Sequence, residues 1–197
     1  MFNNITRRAF LAATGSTLLA GPALALTEPQ ARKLVDQLVG EINKVIGSGK
    51  SENAMIRDFE RIFERYADVP IMAQYALGVD GRRASNAQKR KFGDAFASYI
   101  SRKYGKRFRE FIGGKIEVRS ARAIRAGYEI KTTAFLRGES PFEVTFLVSD
   151  KSGRKLFFNM FIEGVNLLLT ERTEIGALLD RNGGNIDKMI SDLSRLG

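Results

Sequence analysis

Apolar residues recur at helical spacing through the first half of the chain that follows residue 28. The spacing predicts four helices, because each apolar run returns every three or four positions and is bounded by a capping or breaking residue. The proline after Asp68-Val69 is typical of the first turn of a helix that Asp68 caps. The predicted helices run from Pro29 to Ile46, from Ser51 to Tyr66, from Asp68 to Gly78, and from the cap Asn86 to Gly113-Gly114.

After Gly114 the period of the pattern changes from 3.6 to 2, which predicts strands. The alternation is cleanest from Phe142 to Ser149, and Lys151-Ser152-Gly153 is typical of a hairpin turn. The tail from Arg172 to Leu196 is predicted to be helical, with a break at Gly183-Gly184 and a restart capped by Asn185. The predicted strands are 116–123, 127–137, 142–149, 156–162 and 165–170.

The order of these elements predicts an α+β fold in which N-terminal helices pack on a twisted antiparallel sheet and further helices follow the sheet. A chain of 197 residues is long enough for one ordinary domain with a proper core. The last two predicted strands are apolar on both faces. Such a sheet is either covered by helices on both faces or faces an internal apolar cavity, and the pattern leaves both alternatives open.

The first 25 residues have the pattern of an export signal. A basic segment with Arg7-Arg8 precedes a short apolar run, and the small-x-small triplet Ala23-Leu24-Ala25 follows it. The paired arginines followed by Phe-Leu resemble a twin-arginine signal, and an ordinary secretion signal is the alternative. We therefore expect residues 1–25 to be a signal peptide, and 26–197 to form a single domain in the periplasm.

The chain contains no Cys, no His and no Trp. These absences exclude disulfide frameworks, thiol nucleophiles and mechanisms that need a histidine general base. The segment Gly47 to Ser51 is not a phosphate-binding loop, because Lys44 stands where the first glycine is needed and a helix precedes it. Glu163 ends an apolar strand and is a candidate general acid or base, although closing a turn is the favoured role. We expect no catalytic constellation and no metal site.

Positive charge is concentrated in one segment of the sequence. Between Arg82 and Arg125 there are 14 basic and 3 acidic side chains, a net charge of +11, whereas the whole chain carries +10. Such a segment is either a solvated helix face or a surface for an anionic partner. Nucleic acid is disfavoured, because an exported protein is separated from it and no base-reading motif is present. The predicted docking surface comprises Lys103, Lys106, Arg107 and Arg109, and we expect it to make transient contact with a membrane surface.

Several segments recur together in one known family. They are Asp68-Val69-Pro70 to Gly78, Phe92-x-x-x-Phe96-x-x-Tyr99 to Tyr104, Phe161-Ile162-Glu163-Gly164-Val165-Asn166-Leu167, and the tail with Leu178-Leu179 and Ile190-x-x-Leu193. Over essentially the whole mature chain, this arrangement resembles the MlaC family, also called the toluene-tolerance Ttg2 family. The chain departs from the family pattern in lacking a Trp shortly before the Glu-Gly strand. It also has Asn159 and Asn166 where the family usually has Asp and Ser.

The resemblance implies a periplasmic phospholipid carrier of an ABC-type lipid transport system. Such a carrier moves lipid between an outer-membrane lipoprotein complex and an inner-membrane transporter complex, which maintains outer-membrane lipid asymmetry. The resemblance implies a monomer without enzymatic activity and without a cofactor. It also implies a phospholipid cargo whose tails fill an internal apolar cavity. One predicted cavity wall is the sheet face with Phe142, Val144, Phe146, Val148, Leu156, Phe158, Met160, Ile162, Val165, Leu167 and Leu169. The predicted opposite wall is Met72, Tyr75, Phe92, Phe96 and Tyr99.

Two functions of other classes stay open at this point. NTF2-like and ketosteroid-isomerase-like enzymes also place helices before a curved sheet, but they use an Asp base with Tyr and Asp donors in the pocket. Asp and Tyr are scarce at the inward positions of the predicted strands. The other alternative is a ligand-free periplasmic adaptor with a basic docking face, and phospholipid in the purified protein would separate it from a carrier.

Overall fold

The computed structural model describes residues 26–106, 110 and 112–197. The predicted signal peptide therefore lies outside the described residues, as do Arg107 and Arg109 of the predicted docking surface. The described residues form helices and an antiparallel sheet in the predicted order, which confirms the α+β fold. No helix in these ranges is both long enough and apolar enough to cross a membrane.

The helices and strands have these bounds. The helices are α1 (Glu28–Ile46), α2 (Glu52–Tyr66), α3 (Val69–Leu77), a 3₁₀ helix (Gly78–Arg82), α4 (Asn86–Gly105), α5 (Leu167–Arg181) and α6 (Ile186–Leu193). The strands are β1 (Lys115–Ile124), β2 (Gly127–Phe135), β3 (Phe142–Ser149), β4 (Leu156–Ile162) and β5 (Val165–Asn166).

Side chains at the helix starts accept hydrogen bonds from backbone N–H groups that would otherwise lack a partner. The carboxylate of Asp68 accepts from the N–H of Ile71, and the predicted cap of α3 is confirmed. The cap of α4 is Ser85 rather than the predicted Asn86. Ser85 and Gln88 exchange two hydrogen bonds, of 2.9 and 3.2 Å, in a capping box.

The five strands follow one another across the sheet in chain order, and every neighbouring pair is antiparallel. The pairing of β3 with β4 contains an irregularity between Leu147 and Val148, beyond which Val148 stands opposite Phe157. An extra residue in one strand reverses the alternation of faces beyond it. The prediction that Leu156 and Phe158 share the face of Val148 is therefore wrong. The residues of β4 on that face are Phe157, Met160 and Ile162.

The chain after Gly164 departs most from the prediction. The predicted strand 165–170 has only two strand residues, and α5 begins at Leu167. Asn166 sets this start, because its side-chain oxygen accepts from the N–H of Leu169 at 3.2 Å and from the Asn159 amide at 3.1 Å. Leu167 and Leu169 are therefore helical, and the prediction that they lie on a strand is wrong. Asn159 and Asn166, two of the three departures from the family pattern, bond to each other.

The helices pack on the sheet and on one another. Helix α1 packs on β1, β2 and β3, and α2 packs on both α1 and α4. Helix α4 lies further from the sheet, against α2, α3 and α6, and α3 and α5 pack on each other. Phe92 and Phe96 of α4 are consequently buried among helices and almost fully covered. Helix α4 ends at Gly105, earlier than predicted.

Candidate functional site

An apolar cavity of about 350 Å³ lies between one face of the sheet and helices α1, α2 and α4. Its sheet side is lined by Ile116, Phe142, Val144, Phe146, Phe157, Met160 and Ile162. Its helix side is lined by Leu38, Ile42, Phe59, Ile62, Phe63, Ile100 and Tyr104. Both walls are made of aliphatic and aromatic side chains, so the cavity suits an apolar ligand.

The local sequence explains why both walls are apolar. Phe59, Ile62 and Phe63 recur at helical spacing and form one face of α2, while Val144 and Phe146 alternate along β3 and share one face of the sheet. The ring of Phe157 joins the two walls, with its centroid 5.9 Å from that of Phe63 and 5.5 Å from that of Phe146. Edge-on aromatic contacts of this kind fix the separation of helix and sheet.

Polar residues border the cavity at two loops, and we call this end of the cavity its mouth. Glu139 and Ser140 lie between β2 and β3, and Glu163 lies in the turn between β4 and β5. Glu163 is exposed, has left-handed backbone with φ 50°, and donates its N–H to the carbonyl of Glu143 at 2.9 Å. Glu163 therefore lies in a turn, as the sequence favours, but the bond comes from its backbone N–H and not, as expected, from a backbone N–H to its carboxylate. Its carboxylate is exposed, unlike the buried acid that the catalytic interpretation requires.

A buried polar cluster connects the cavity wall to α5, and we call Tyr99, Lys103, Tyr104, Glu171 and Glu174 the Lys103 cluster. Tyr104 lines the cavity and donates its hydroxyl to Glu171 Oε1 at 2.7 Å. The Lys103 ammonium donates to Glu171 Oε1 at 2.9 Å and to Glu174 Oε2 at 2.7 Å. Glu174 also accepts from the Tyr99 hydroxyl at 2.9 Å. The carboxylate of Glu171 is fully buried, and its Oε2 has no hydrogen-bond partner among the described residues.

Burial and hydrogen bonding shift the pKa values of four members of the Lys103 cluster. Burial and the neighbouring carboxylates raise the pKa of Tyr99 and of Tyr104 well above the ordinary tyrosine value. Burial lowers the pKa of Lys103, but hydrogen bonds to Glu174 and Glu171 outweigh it, so the pKa is raised. Burial raises the pKa of Glu174, but the bonds from Lys103 and Tyr99 lower it overall. Hydrogen bonds and the contacts of the Lys103 ammonium with two carboxylates therefore join α4 to α5.

The structure brings part of the predicted cavity together. Five predicted residues line it, namely Phe142, Val144, Phe146, Met160 and Ile162. The predicted opposite wall does not line it, because Phe92 and Phe96 of α4 lie among other helices, and α1, α2 and the last turns of α4 line the cavity instead. Of that wall, Met72, Phe92 and Phe96 are buried, Tyr99 belongs to the Lys103 cluster, and Tyr75 is exposed. Six other residues predicted to line the cavity do not line it. They are Val148, Leu156, Phe158, Val165, Leu167 and Leu169.

Sequence reasoning missed the helix side of the cavity. Leu38 and Ile42 of α1 lie one turn apart, and Phe59, Ile62 and Phe63 form the stripe of α2. Both stripes are visible in the sequence as helical faces. The pattern of a single helix does not say which of several apolar stripes faces the sheet.

The described residues of the predicted docking surface are bound within the protein. Lys103 lies in the cluster with 27% of its side chain exposed, and the Lys106 ammonium donates to the main-chain oxygen of Gly197 at 2.7 Å. Neighbouring Arg102 donates to the carbonyls of Ser194 and Leu196. These cations satisfy carbonyl and carboxylate groups of α5, α6 and the residues after α6, which leaves them less available to a partner than a solvated face would be.

Three comparisons place these observations among known proteins. The family model described as MlaC protein matches residues 32–195. A phospholipid-binding protein from Ralstonia solanacearum, solved in complex with a phospholipid, shares the fold with a TM-score of 0.69 and 18% sequence identity. The likeness covers 83% of this chain and 98% of that one. A search of curated proteins found no match.

Proposed function

Because this chain belongs to the MlaC family, we propose that it binds phospholipid in the cavity between α1, α2 and the sheet, and transports it. The observation that carries this proposal is a lining of aliphatic and aromatic residues on both walls of the cavity, with the polar side chains at its loop end. The phospholipid in the Ralstonia structure supports it, because that protein has the same fold.

The expected orientation of the lipid follows from the lining. Acyl chains lie against Val144, Phe146 and Phe63, and the headgroup lies at the loops that carry Glu139 and Glu163. Burying about 30 methylenes of a two-chain lipid removes apolar surface worth roughly 20 kcal/mol from water, at ~0.8 kcal/mol per methylene. A lipid that leaves a bilayer gives up a similar burial there. The bound lipid therefore exchanges with membranes but does not escape into water.

The size of the cavity bears on how lipid enters. A volume of about 350 Å³ is at the lower end of the range of roughly 300–1,000 Å³ for small-molecule sites. A whole two-chain lipid therefore needs the helix wall and the sheet to separate further, or its chains to extend past the loops. Carriage between an outer-membrane lipoprotein complex and an inner-membrane ABC transporter complex, in the periplasm and as a monomer, is the role we propose for this exchange.

The lining favours carriage over the enzymatic alternative. The polar side chains among the described lining residues are Glu139, Ser140, Glu163 and Tyr104, and the Tyr104 hydroxyl is committed to Glu171. An Asp base facing Tyr and Asp donors, as ketosteroid-isomerase-like chemistry requires, is not found among these lining residues. We propose that the protein is not an enzyme and that phospholipid is its cargo rather than a cofactor.

Organic extraction and mass spectrometry of the purified protein test the proposal. We expect phospholipid in near-stoichiometric amount. Val144→Asp puts an unpaired carboxylate against hydrocarbon, and Val144→Phe fills the cavity, so both should lower the lipid content several-fold. Ile112→Asp, at an exposed position outside the lining, should leave it unchanged.

Circular dichroism has to show that each variant is folded before its lipid content is compared. A folded wild-type protein that carries no lipid, and that takes none from liposomes, would overturn lipid carriage and favour the ligand-free adaptor.

A further inference from the structure

An exposed apolar stripe runs from the cavity mouth across α5 to the end of α3. We call Val165, Leu169, Tyr75, Val79 and the intervening Arg172 the apolar stripe. Its four apolar members expose 61%, 54%, 41% and 58% of their surface, respectively. Large apolar side chains that adjoin one another on a surface mark an interaction site, whereas scattered ones do not.

The members of the stripe are connected by their order along the chain and by one side-chain contact. Val165 pairs with Ile162 of the cavity wall and follows the Glu163 turn, so this end borders the mouth. Leu169 and Arg172 are three residues apart on α5 and are therefore neighbours on its surface. The Arg172 guanidinium lies over the Tyr75 ring, 5.7 Å from its centroid. Val79 follows Tyr75 by four residues, in the 3₁₀ helix.

Exposed cations lie in the 3₁₀ helix at the far end of the stripe and in the helix that follows it. Arg82 ends the 3₁₀ helix that contains Val79, and Lys89 and Arg90 are in the first two turns of α4. All three side chains are exposed or half-buried, and none has a hydrogen-bond or ion-pair partner within the described ranges 26–106, 110 and 112–197. Arg172 itself contacts an aromatic ring rather than a carboxylate. Apolar side chains next to unpaired cations match the interfacial layer of a bilayer with anionic headgroups.

We propose that the apolar stripe is the surface through which this protein contacts a bilayer that contains anionic phospholipid. Val165, Leu169 and Val79 enter the boundary between headgroups and acyl chains, and Arg172 and Arg82 bind lipid phosphates. We assign the stripe to a bilayer rather than to an acidic protein because one end borders the mouth of the apolar cavity that we propose to hold acyl chains. That lipid passes from bilayer to cavity at this contact rests on the proposed function, but the contact itself does not.

Vesicle flotation tests the contact with the exported protein purified from the periplasm, whose N-terminus is first established by intact mass. Vesicles of phosphatidylethanolamine and phosphatidylglycerol at about 3:1 are compared with vesicles of phosphatidylcholine alone. Wild type should float with the anionic vesicles, and its binding should weaken between 0.1 and 1 M salt, as the screening length falls from about 10 Å to about 3 Å. The double variant Val165→Ser/Leu169→Ser should lose at least tenfold in partitioning.

The matched control removes two exposed apolar side chains from outside the stripe, Ile112→Ser/Leu196→Ser, and should stay within twofold of wild type. Equal binding by wild type and the stripe variant, or no wild-type binding to anionic vesicles, would overturn the proposal. Lipid extracted from the same samples separates the two inferences. Bound lipid without flotation would support lipid carriage and overturn the bilayer contact. Flotation without bound lipid would support the bilayer contact and overturn lipid carriage.

Discussion

Replacing Glu171 by Gln removes one negative charge from the centre of the Lys103 cluster while nearly preserving the shape of the side chain. The substituted amide can still accept a hydrogen bond from the Tyr104 hydroxyl through its remaining oxygen. It cannot pair electrostatically with Lys103, and its NH₂ group occupies a position where Glu171 Oε2 has no partner among the described residues. The substitution therefore tests whether a buried charge holds α5 against α4.

The expected cost follows from burial. Breaking a fully buried ion pair typically costs about 3–5 kcal/mol, but Lys103 is 27% exposed and keeps Glu174, so the loss is smaller. A buried polar group left without a partner costs about 1–3 kcal/mol. We expect the free energy of unfolding to fall by about 2 kcal/mol. In a protein of this size, that lowers the melting temperature by roughly 4–8 °C.

Glu174→Gln is the matched control, because Glu174 binds the same Lys103 ammonium at 2.7 Å but is 50% exposed. Exposed ion pairs contribute about 0–1 kcal/mol. Its melting temperature should therefore fall by less than about 4 °C. Both unfolding transitions are measured at neutral pH by circular dichroism, on protein whose lipid content has been determined.

A second measurement connects this charge to lipid binding. Tyr104 lines the cavity and is held by Glu171, so loosening the bond should speed transfer of a fluorescent phospholipid from the folded variant to acceptor vesicles. Equal losses of stability in the two variants would refute the reasoning, since it attributes the difference to burial. A larger loss in Glu174→Gln would refute it too.

Two further predictions concern helix capping and export. Asp68→Ala should destabilise the protein by about 0.5–2 kcal/mol in chemical unfolding, because its carboxylate caps α3. Ser51→Ala should cost less, since the Ser51 side chain makes no cap hydrogen bond. Arg7→Lys with Arg8→Lys should block export if the twin-arginine interpretation holds, and the intact mass of the exported wild type should correspond to a chain that begins at Leu26. Unimpaired export of the lysine variant would indicate the general secretory route.

The elements that could be predicted are those whose pattern is set locally. The strand Phe142–Ser149 and the start of α6 after Asn185 agree with the prediction to the residue. In β3, apolar residues alternate without interruption, and at Asn185 a capping side chain directly precedes a strongly amphipathic run. Neither the bounds of β3 nor the start of α6 depends on which neighbouring element it packs against.

The elements that could not be predicted depend on distant contacts. Leu167, Leu168 and Leu169 form a short apolar run that fits a buried strand as well as a buried helix, and the Asn166 cap decides for the helix. The face of β4 changes at an irregularity in its pairing with β3, which alternation along one strand does not reveal. For the same reason, the prediction includes five of the seven lining residues on the sheet side of the cavity and none on the helix side. The alternation along β3 identifies the sheet face that lines the cavity. Helix packing determines that α1 and α2 form the opposite wall.

The turn and helix start after β4 bring three features of the molecule into one short segment. Ile162 lines the cavity, Glu163 borders its mouth, Val165 begins the apolar stripe, and Glu171 anchors α5 to the cavity wall through Tyr104. The turn works only with left-handed backbone at two successive residues, φ 50° at Glu163 and φ 78° at Gly164, and the second favours glycine. A displacement of this turn would move the cavity mouth and the start of α5 together. The bilayer contact that we propose at the stripe would therefore act on the same segment that borders the cavity.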